Sequence, residues 1–249
     1  RLGLIAPADC EVIRLTIDTD LTSAAGLRRA LDAVSDPSIP TLLFGTLPCT
    51  GGSPYVNLNW HLGPATRGKI RAHWAVFHRL WTNFLKVARA CRANGGAIAM
   101  EWPRRCAYWH EPRVKAFMLE YGIQEYHLDG CAYGLTSHAQ RTFGTPIRKP
   151  WTIASDSSSF ASLRRSCPHT PDQHTKCAGA DTRLTEGYTD ELATAIHHAW
   201  HHHVTTPVTP KTVPSNARKT STGVGRVGRV GSIGGGIARG WKASAMPPV

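Results

Sequence analysis

The sequence predicts an α/β protein, a mostly parallel twisted sheet with helices on its faces. Three observations lead there. Short apolar runs rich in β-formers alternate with amphipathic helical segments, the order that builds parallel sheets. The run Thr41-Leu-Leu-Phe-Gly-Thr-Leu47 is apolar throughout, as a strand covered on both faces must be. The last two strands, 124–129 and 150–153, have no helix between them and read as an antiparallel pair at one edge. Hydrophobic residues make up 41% of the chain and include eight Trp, enough for a packed core and too much for a wholly disordered protein.

The elements follow in order. Residues 10–16 read as a strand, with Val12 and Ile13 β-branched, running into an acidic turn at Asp18 and Asp20. Thr22 or Ser23 can cap a helix to about residue 34, with Leu27, Ala30, Leu31 and Val34 on one face. Asp36-Pro37 stops it. After the 41–47 strand, Pro48-Cys49-Thr50-Gly51-Gly52-Ser53-Pro54 holds too much Gly and Pro for either element. Over 69–93 the helical period is strongest: Ile70, Trp74, Phe77, Trp81, Phe84, Leu85 and Ala88 share a face, and Asn94-Gly95-Gly96 ends the run. A strand follows at 97–101, then a Pro-rich loop, a helix at 112–121 and the two closing strands. The first 154 residues form one domain on this reading. Residues 155–204 form a small appended unit ending in a helix at 189–202.

From residue 205 onward Pro, Thr, Ser, Gly and basic residues dominate, and 223–236 is low-complexity, so 205–249 is expected to be a disordered tail. The tail changes how the charge is read. The formal net charge is +12, which favours DNA or RNA as a partner. Seven of the 29 basic residues and none of the 17 acidic ones lie in 205–249, so the first 204 carry only +5. No apolar run of about 18 residues exists, which argues against a membrane span. With no secretory signal, the seven cysteines are expected as reduced thiols in an intracellular setting, cytoplasmic or nuclear.

Ligands of such sheets bind beyond the carboxyl ends of the strands. Two residues stand there. Cys49 follows the 41–47 strand beside loop amides able to stabilise a thiolate; the alternative is a small buried residue. Glu101 closes the next apolar strand, where an unpaired carboxylate is costly to bury and so is expected to face a cleft. It could instead pair with Arg104 or Arg105 and pin the loop. Adjacent strands lie about 5 Å apart, which would bring a nucleophile and an acid to one site. His197, His198, His201, His202 and His203 read as a solvated helix end.

The pattern Pro48-Cys49, then Glu101-Trp102-Pro103, then Gly144-Thr145-Pro146-Ile147-Arg148 resembles the DNA cytosine-5 methyltransferases over about residues 10–155. That family places Pro-Cys after its fourth strand, Glu-Asn-Val after its fifth, and a Gly-x-Pro-Gln-x-Arg-x-Arg stretch before a hairpin strand. The stretches Leu-Pro-Cys-Thr-Gly-Gly-Ser-Pro, Glu-Trp-Pro-Arg-Arg-Cys-Ala-Tyr-Trp and Asp-Gly-Cys-Ala-Tyr-Gly are also similar to uncharacterised domains of retrotransposon-type polyproteins, over roughly residues 1–200. The resemblance implies a methyltransferase-like (Rossmann-like) sheet whose first strand and glycine-rich cofactor loop would precede residue 1. It implies a Cys49 thiolate adding to C6 of a flipped cytosine, with Glu101 on its N3 edge and Arg148 orienting base or phosphate. The methyl donor would be S-adenosylmethionine, with Pro48 at its site and Asp18 or Asp20 meeting its ribose. A truncated enzyme, or a non-catalytic nucleic-acid-binding or structural module that keeps the shell, fits the same pattern.

A second constellation is Cys167, His169, His174 and Cys177. Two thiols and two imidazoles within 11 residues match the ligand set zinc prefers, although the spacing is not that of a common finger. A polar loop whose Cys and His are incidental is the other reading. A bound zinc would stabilise a unit too small to fold on its core alone.

Overall fold

The structure, a computed structural model, describes residues 2–206. The expected 205–249 tail therefore lies almost wholly outside the described residues. The elements are α1 (Ala24–Ala33), β1 (Leu42–Gly45), α2 (Tyr55–Asn59), α3 (Pro64–Ala93), β2 (Ala97–Pro103), α4 (Pro112–Glu120), β3 (Gln124–Asp129), β4 (Pro150–Ser155), α5 (Ala180–Leu184) and α6 (Asp190–Thr205).

The four strands form one sheet in the order β1-β2-β4-β3. β1 pairs parallel with β2, while β4 runs antiparallel to both β2 and β3. The architecture is α/β as expected, but the sheet is mixed, with one parallel pairing of three. β3 and β4 do pair antiparallel. β4, however, inserts between β2 and β3, so β3 is the edge.

Residues 10–16 are not a strand. Thr16 instead caps a short 3-10 turn, Ile17–Thr19, with reciprocal side-chain and backbone bonds. A strand needs a partner for its backbone groups, and among the described residues no sheet edge meets this segment. Its apolar side chains are used all the same: Leu15 is buried in the core under α1 and α3, and Val12 packs on the opposite side of the sheet.

Two cores result from alternation along the strands. Leu43, Ile98, Met100 and Trp102 point to the face covered by α1, α3 and α4. Leu42, Phe44, Ala97, Ala99, Tyr126, Leu128 and Ile153 point to the other, covered by Phe160, Leu163 and the α6 residues Leu192, Ala193, Ile196 and Trp200. Residues from 155–204 thus share one core with the sheet.

α3 begins five residues before the expected start, because Pro64 at its first turn follows Gly63 in a positive-φ conformation (φ 110°). Its buried face carries Phe77, Leu80, Trp81 and Phe84. Phe77 stacks on Tyr108 at 3.7 Å between centroids. The histidines of α6 are not simply a solvated end. His197 is buried with Nε2 2.9 Å from the Leu2 carbonyl, and His203 stacks on Trp200 with Nδ1 2.9 Å from Ser157 Oγ. Burial lowers both imidazole pKa values.

Candidate functional site

The carboxyl end of β1 is held by the neighbouring strand. Trp102 Nε1 donates to the Leu47 carbonyl at 2.8 Å, fixing the backbone just ahead of Pro48 and Cys49. Beyond Cys49 the chain turns, with Gly52 N donating to the Cys49 carbonyl at 2.9 Å. Gly51 and Gly52 then lie flat on Tyr108 and Cys106. A Cβ at Gly51 would come within 2.6 Å of the Tyr108 hydroxyl, and one at Gly52 within 2.8 Å of Cys106 Sγ. Side chains at either position would lift the loop.

The β1–β2 register pairs Gly45 with Met100, and β2 runs on through Glu101 to Pro103, so Glu101 does not close its strand as expected but lies within it, beside the chain leading to Cys49. The two side chains meet electrostatically. Burial first, and then the Glu101 charge, push the Cys49 thiol up to about 11, against a smaller lowering by Lys149. Burial likewise raises Glu101 to about 7, opposed by a hydrogen bond from Tyr188 and by Lys149. Tyr188 Oη donates to Glu101 Oε2 at 2.9 Å, while Oε1 is shielded from solvent and has no hydrogen-bond partner among the described residues. Cys49 and Glu101 are therefore near enough to interact electrostatically, both half-buried, with Tyr188 hydrogen-bonded to Glu101. Neither Arg104 nor Arg105 pairs with Glu101; Arg104 reaches Asp129 at 3.1 Å. At pH 7 a thiol of pKa near 11 is almost wholly protonated, unlike the activated cysteines found beside cations or helix N-termini.

Arg148 is not at this corner. Its Nε lies 3.5 Å from Oδ2 of Asp129, a carboxylate only 2% exposed that also accepts from Arg104 and from the Cys167 amide. The cation facing Cys49 and Glu101 is its neighbour Lys149, whose Nζ donates to the Thr185 carbonyl at 2.6 Å. One step along an extended chain turns a side chain to the other side, and that decides which of the two faces the corner.

Two of the residues assigned to S-adenosylmethionine make local hydrogen bonds. Asp20 spends its carboxylate on the Thr22 amide (2.8 Å) and hydroxyl (2.6 Å) ahead of α1. Asp18 accepts from the Thr16 hydroxyl at 3.4 Å within the 3-10 turn. Both carboxylates are engaged with neighbours in sequence.

The third cluster departs from the expected ligand set by one residue. Cys131, Cys167, His169 and His174 bring one donor atom each to within 4.8 Å of one another, a group that could hold a metal ion. Cys167 Sγ lies 3.1 Å from His174 Nε2 and 3.8 Å from His169 Nδ1. A capping box between Thr170 and Gln173 folds the short turn separating the two histidines. His174 Nδ1 faces the Thr170 carbonyl at 2.9 Å, which sets the tautomer that leaves Nε2 free as a ligand. Cys177 is elsewhere, with Sγ 3.4 Å from Thr185 Oγ1. Its place is taken by Cys131, in the 3-10 turn Gly130–Tyr133 that follows β3. A cysteine directly beyond a strand's carboxyl end was the signal available for it, since nothing in its spacing from Cys167 marks it.

Beside the Cys49 loop lies a cleft of about 500 Å³ between that loop, the Trp60 turn and α3. Trp60, Arg71, Trp74, His78 and Arg105 line it, and no acidic residue does. Among the described residues no carboxylate pairs with Arg71 or Arg105.

The chain matches no protein-family model, no curated protein and no solved structure.

Proposed function

We propose that this chain is a nucleic-acid-binding module that keeps the Cys–Glu corner of a cytosine-5 methyltransferase-like domain without transferring a methyl group. The observation that carries the binding half is the acid-free cleft with two unpaired arginines and two tryptophans. Phosphates take guanidinium groups, and bases take indole faces. The non-transferring half is supported by the neutral Cys49 thiol, by the Tyr188 hydrogen bond to Glu101 and by the local use of Asp18 and Asp20. Cys131, Cys167, His169 and His174 hold zinc on this reading, a closed Cys2His2 set that braces the fold and does no chemistry.

The test uses the full chain and single-stranded DNA and RNA oligonucleotides. Affinity should fall steeply with salt. Replacing Arg71 and Arg105 together with alanine should weaken it about tenfold and make the salt slope shallower by about 1.4. Unchanged affinity and slope would refute the cleft as the binding surface.

One observation favours catalysis: the buried, unpartnered Oε1 of Glu101, whose carboxyl titrates near neutrality beside a thiol. Tritium transfer from labelled S-adenosylmethionine to DNA or RNA, lost in Cys49→Ala, would establish that reading over ours.

A further inference from the structure

The cleft beside the Cys49 loop is built differently from a general phosphate-tracking surface. Ile70, Trp74 and His78 recur at four-residue spacing and give it one helical wall, with Arg71 beside them. The facing wall is the loop at Gly51 and Gly52, whose missing side chains let the backbone lie flat against Tyr108 and Cys106. Trp74 is fixed by Tyr108, edge-to-face at 4.7 Å, so its indole is positioned before any ligand arrives. Trp60 is 38% exposed, with the Arg71 guanidinium 6.0 Å from its ring centroid. Arg105 closes the remaining side. A volume near 500 Å³ falls within the range of sites that enclose one small ligand, about 300–1,000 Å³, and is too small for a duplex.

From these features we infer that the cleft is a subsite for one unpaired nucleotide, its base against the indoles of Trp60 and Trp74 and its phosphate on Arg71 and Arg105. The assignment rests on the binding reading above, since it names the part of a nucleic acid that enters. The same chemistry is offered by a free nucleoside monophosphate. A planar ring alone would leave the arginines without a counter-charge, and inorganic phosphate alone would leave the indoles uncovered. The ligand class that uses both is a phosphorylated nucleoside.

The experiment titrates the full chain with adenosine monophosphate, ribose 5-phosphate and orthophosphate, read by intrinsic tryptophan fluorescence and calorimetry. Adenosine monophosphate should saturate one site at least tenfold more tightly than either base-free compound, and should displace a bound oligonucleotide. Trp60→Leu and Arg105→Ala should each weaken it about tenfold. Both positions are solvent-facing, so these variants test the site even if Trp74→Leu, which loses the Tyr108 contact, fails to fold. Equal affinity for ribose 5-phosphate, or no effect of Trp60→Leu, overturns the subsite. Oligonucleotide binding that survives while adenosine monophosphate fails to bind overturns the subsite and leaves the binding reading standing. Saturable binding of the nucleotide with no oligonucleotide binding supports the subsite for a free nucleotide and refutes the nucleic-acid reading.

Discussion

The corner at Cys49 and the cluster at Cys167 lie beyond strand ends of one sheet. Burial raises a thiol pKa at both, Cys49 to about 11 and Cys131 to about 12, and what differs is the set of donors around the sulfur. At the corner, burial and the Glu101 carboxylate both disfavour a thiolate, and the cation nearby, Lys149, also donates to a backbone carbonyl. At the cluster, the histidine nitrogens of a single short turn close on Cys167, and one has its tautomer set by the Thr170 carbonyl. The first arrangement keeps a proton on sulfur. The second is fitted to exchange it for a metal ion. A cysteine at a strand end is therefore not a function in itself; the neighbouring charge and donors decide.

The largest expected effect is at the cluster. Purified protein should carry one zinc per chain by elemental analysis. Cys167→Ser or Cys131→Ser should abolish it and cost about 4 kcal/mol or more of stability, because metal binding and folding are linked. Cys177→Ser should keep the zinc. A chain that carries no zinc and unfolds at the same temperature with and without chelator breaks the contrast at its stronger side.

The corner should be visible in the pH dependence of stability. Glu101 is raised from 4.5 to about 7 on folding, so the folded state binds its proton more tightly than the unfolded state. That contribution is fully present below pH 4.5 and is lost as pH rises through 7. Stability should fall over this window by up to about 3 kcal/mol, the free-energy equivalent of the shift. In urea titrations at pH 5 and pH 8, Glu101→Gln should flatten the difference. An equal difference in the variant would place the pH dependence elsewhere.

A smaller effect concerns Cys49 alone. Its alkylation by iodoacetamide at pH 7.5, followed by peptide mass spectrometry, should run about 100-fold slower than for an unstructured cysteine, whose pKa is near 8.5. Glu101→Gln should speed it by less than that factor, since burial is the larger cause. Fast alkylation in the native protein would mean a stabilised thiolate and restore the catalytic reading.

Much of this was legible in the sequence where local rules decide. Strand β3 and the start of β4 follow from their apolar pattern, and α3 from its helical period. The meeting of Cys49 and Glu101 follows from two neighbouring parallel strands, although β2 runs on past Glu101 to Pro103. What escaped depends on partners distant in the chain. Residues 10–16 have strand composition but no edge to join. Cys131 replaces Cys177 because the turn after β3, some 36 residues before Cys167, packs against it. Tyr188 reaches Glu101 across 87 residues, and no spacing announces it.

The smallest effect separates the two regions most directly. The methyltransferase pattern assigns Arg148 to the corner, whereas its guanidinium lies on Asp129, next to the cluster. Arg148 is 61% exposed, and Asp129 keeps Arg104 at 3.1 Å and the Cys167 amide at 3.0 Å without it. Removing it leaves no buried charge unpaired, so Arg148→Ala should cost less than about 1 kcal/mol, as exposed ion pairs do. The more telling readout is Cys49. An arginine at the corner would help hold a thiolate, and its loss would slow alkylation further. An arginine committed to Asp129 leaves the Cys49 rate unchanged, while Lys149→Met slows it, because Lys149 is the cation that lowers the Cys49 pKa. A slowed rate in Arg148→Ala would move that residue back to the corner and erase the line drawn between the two regions.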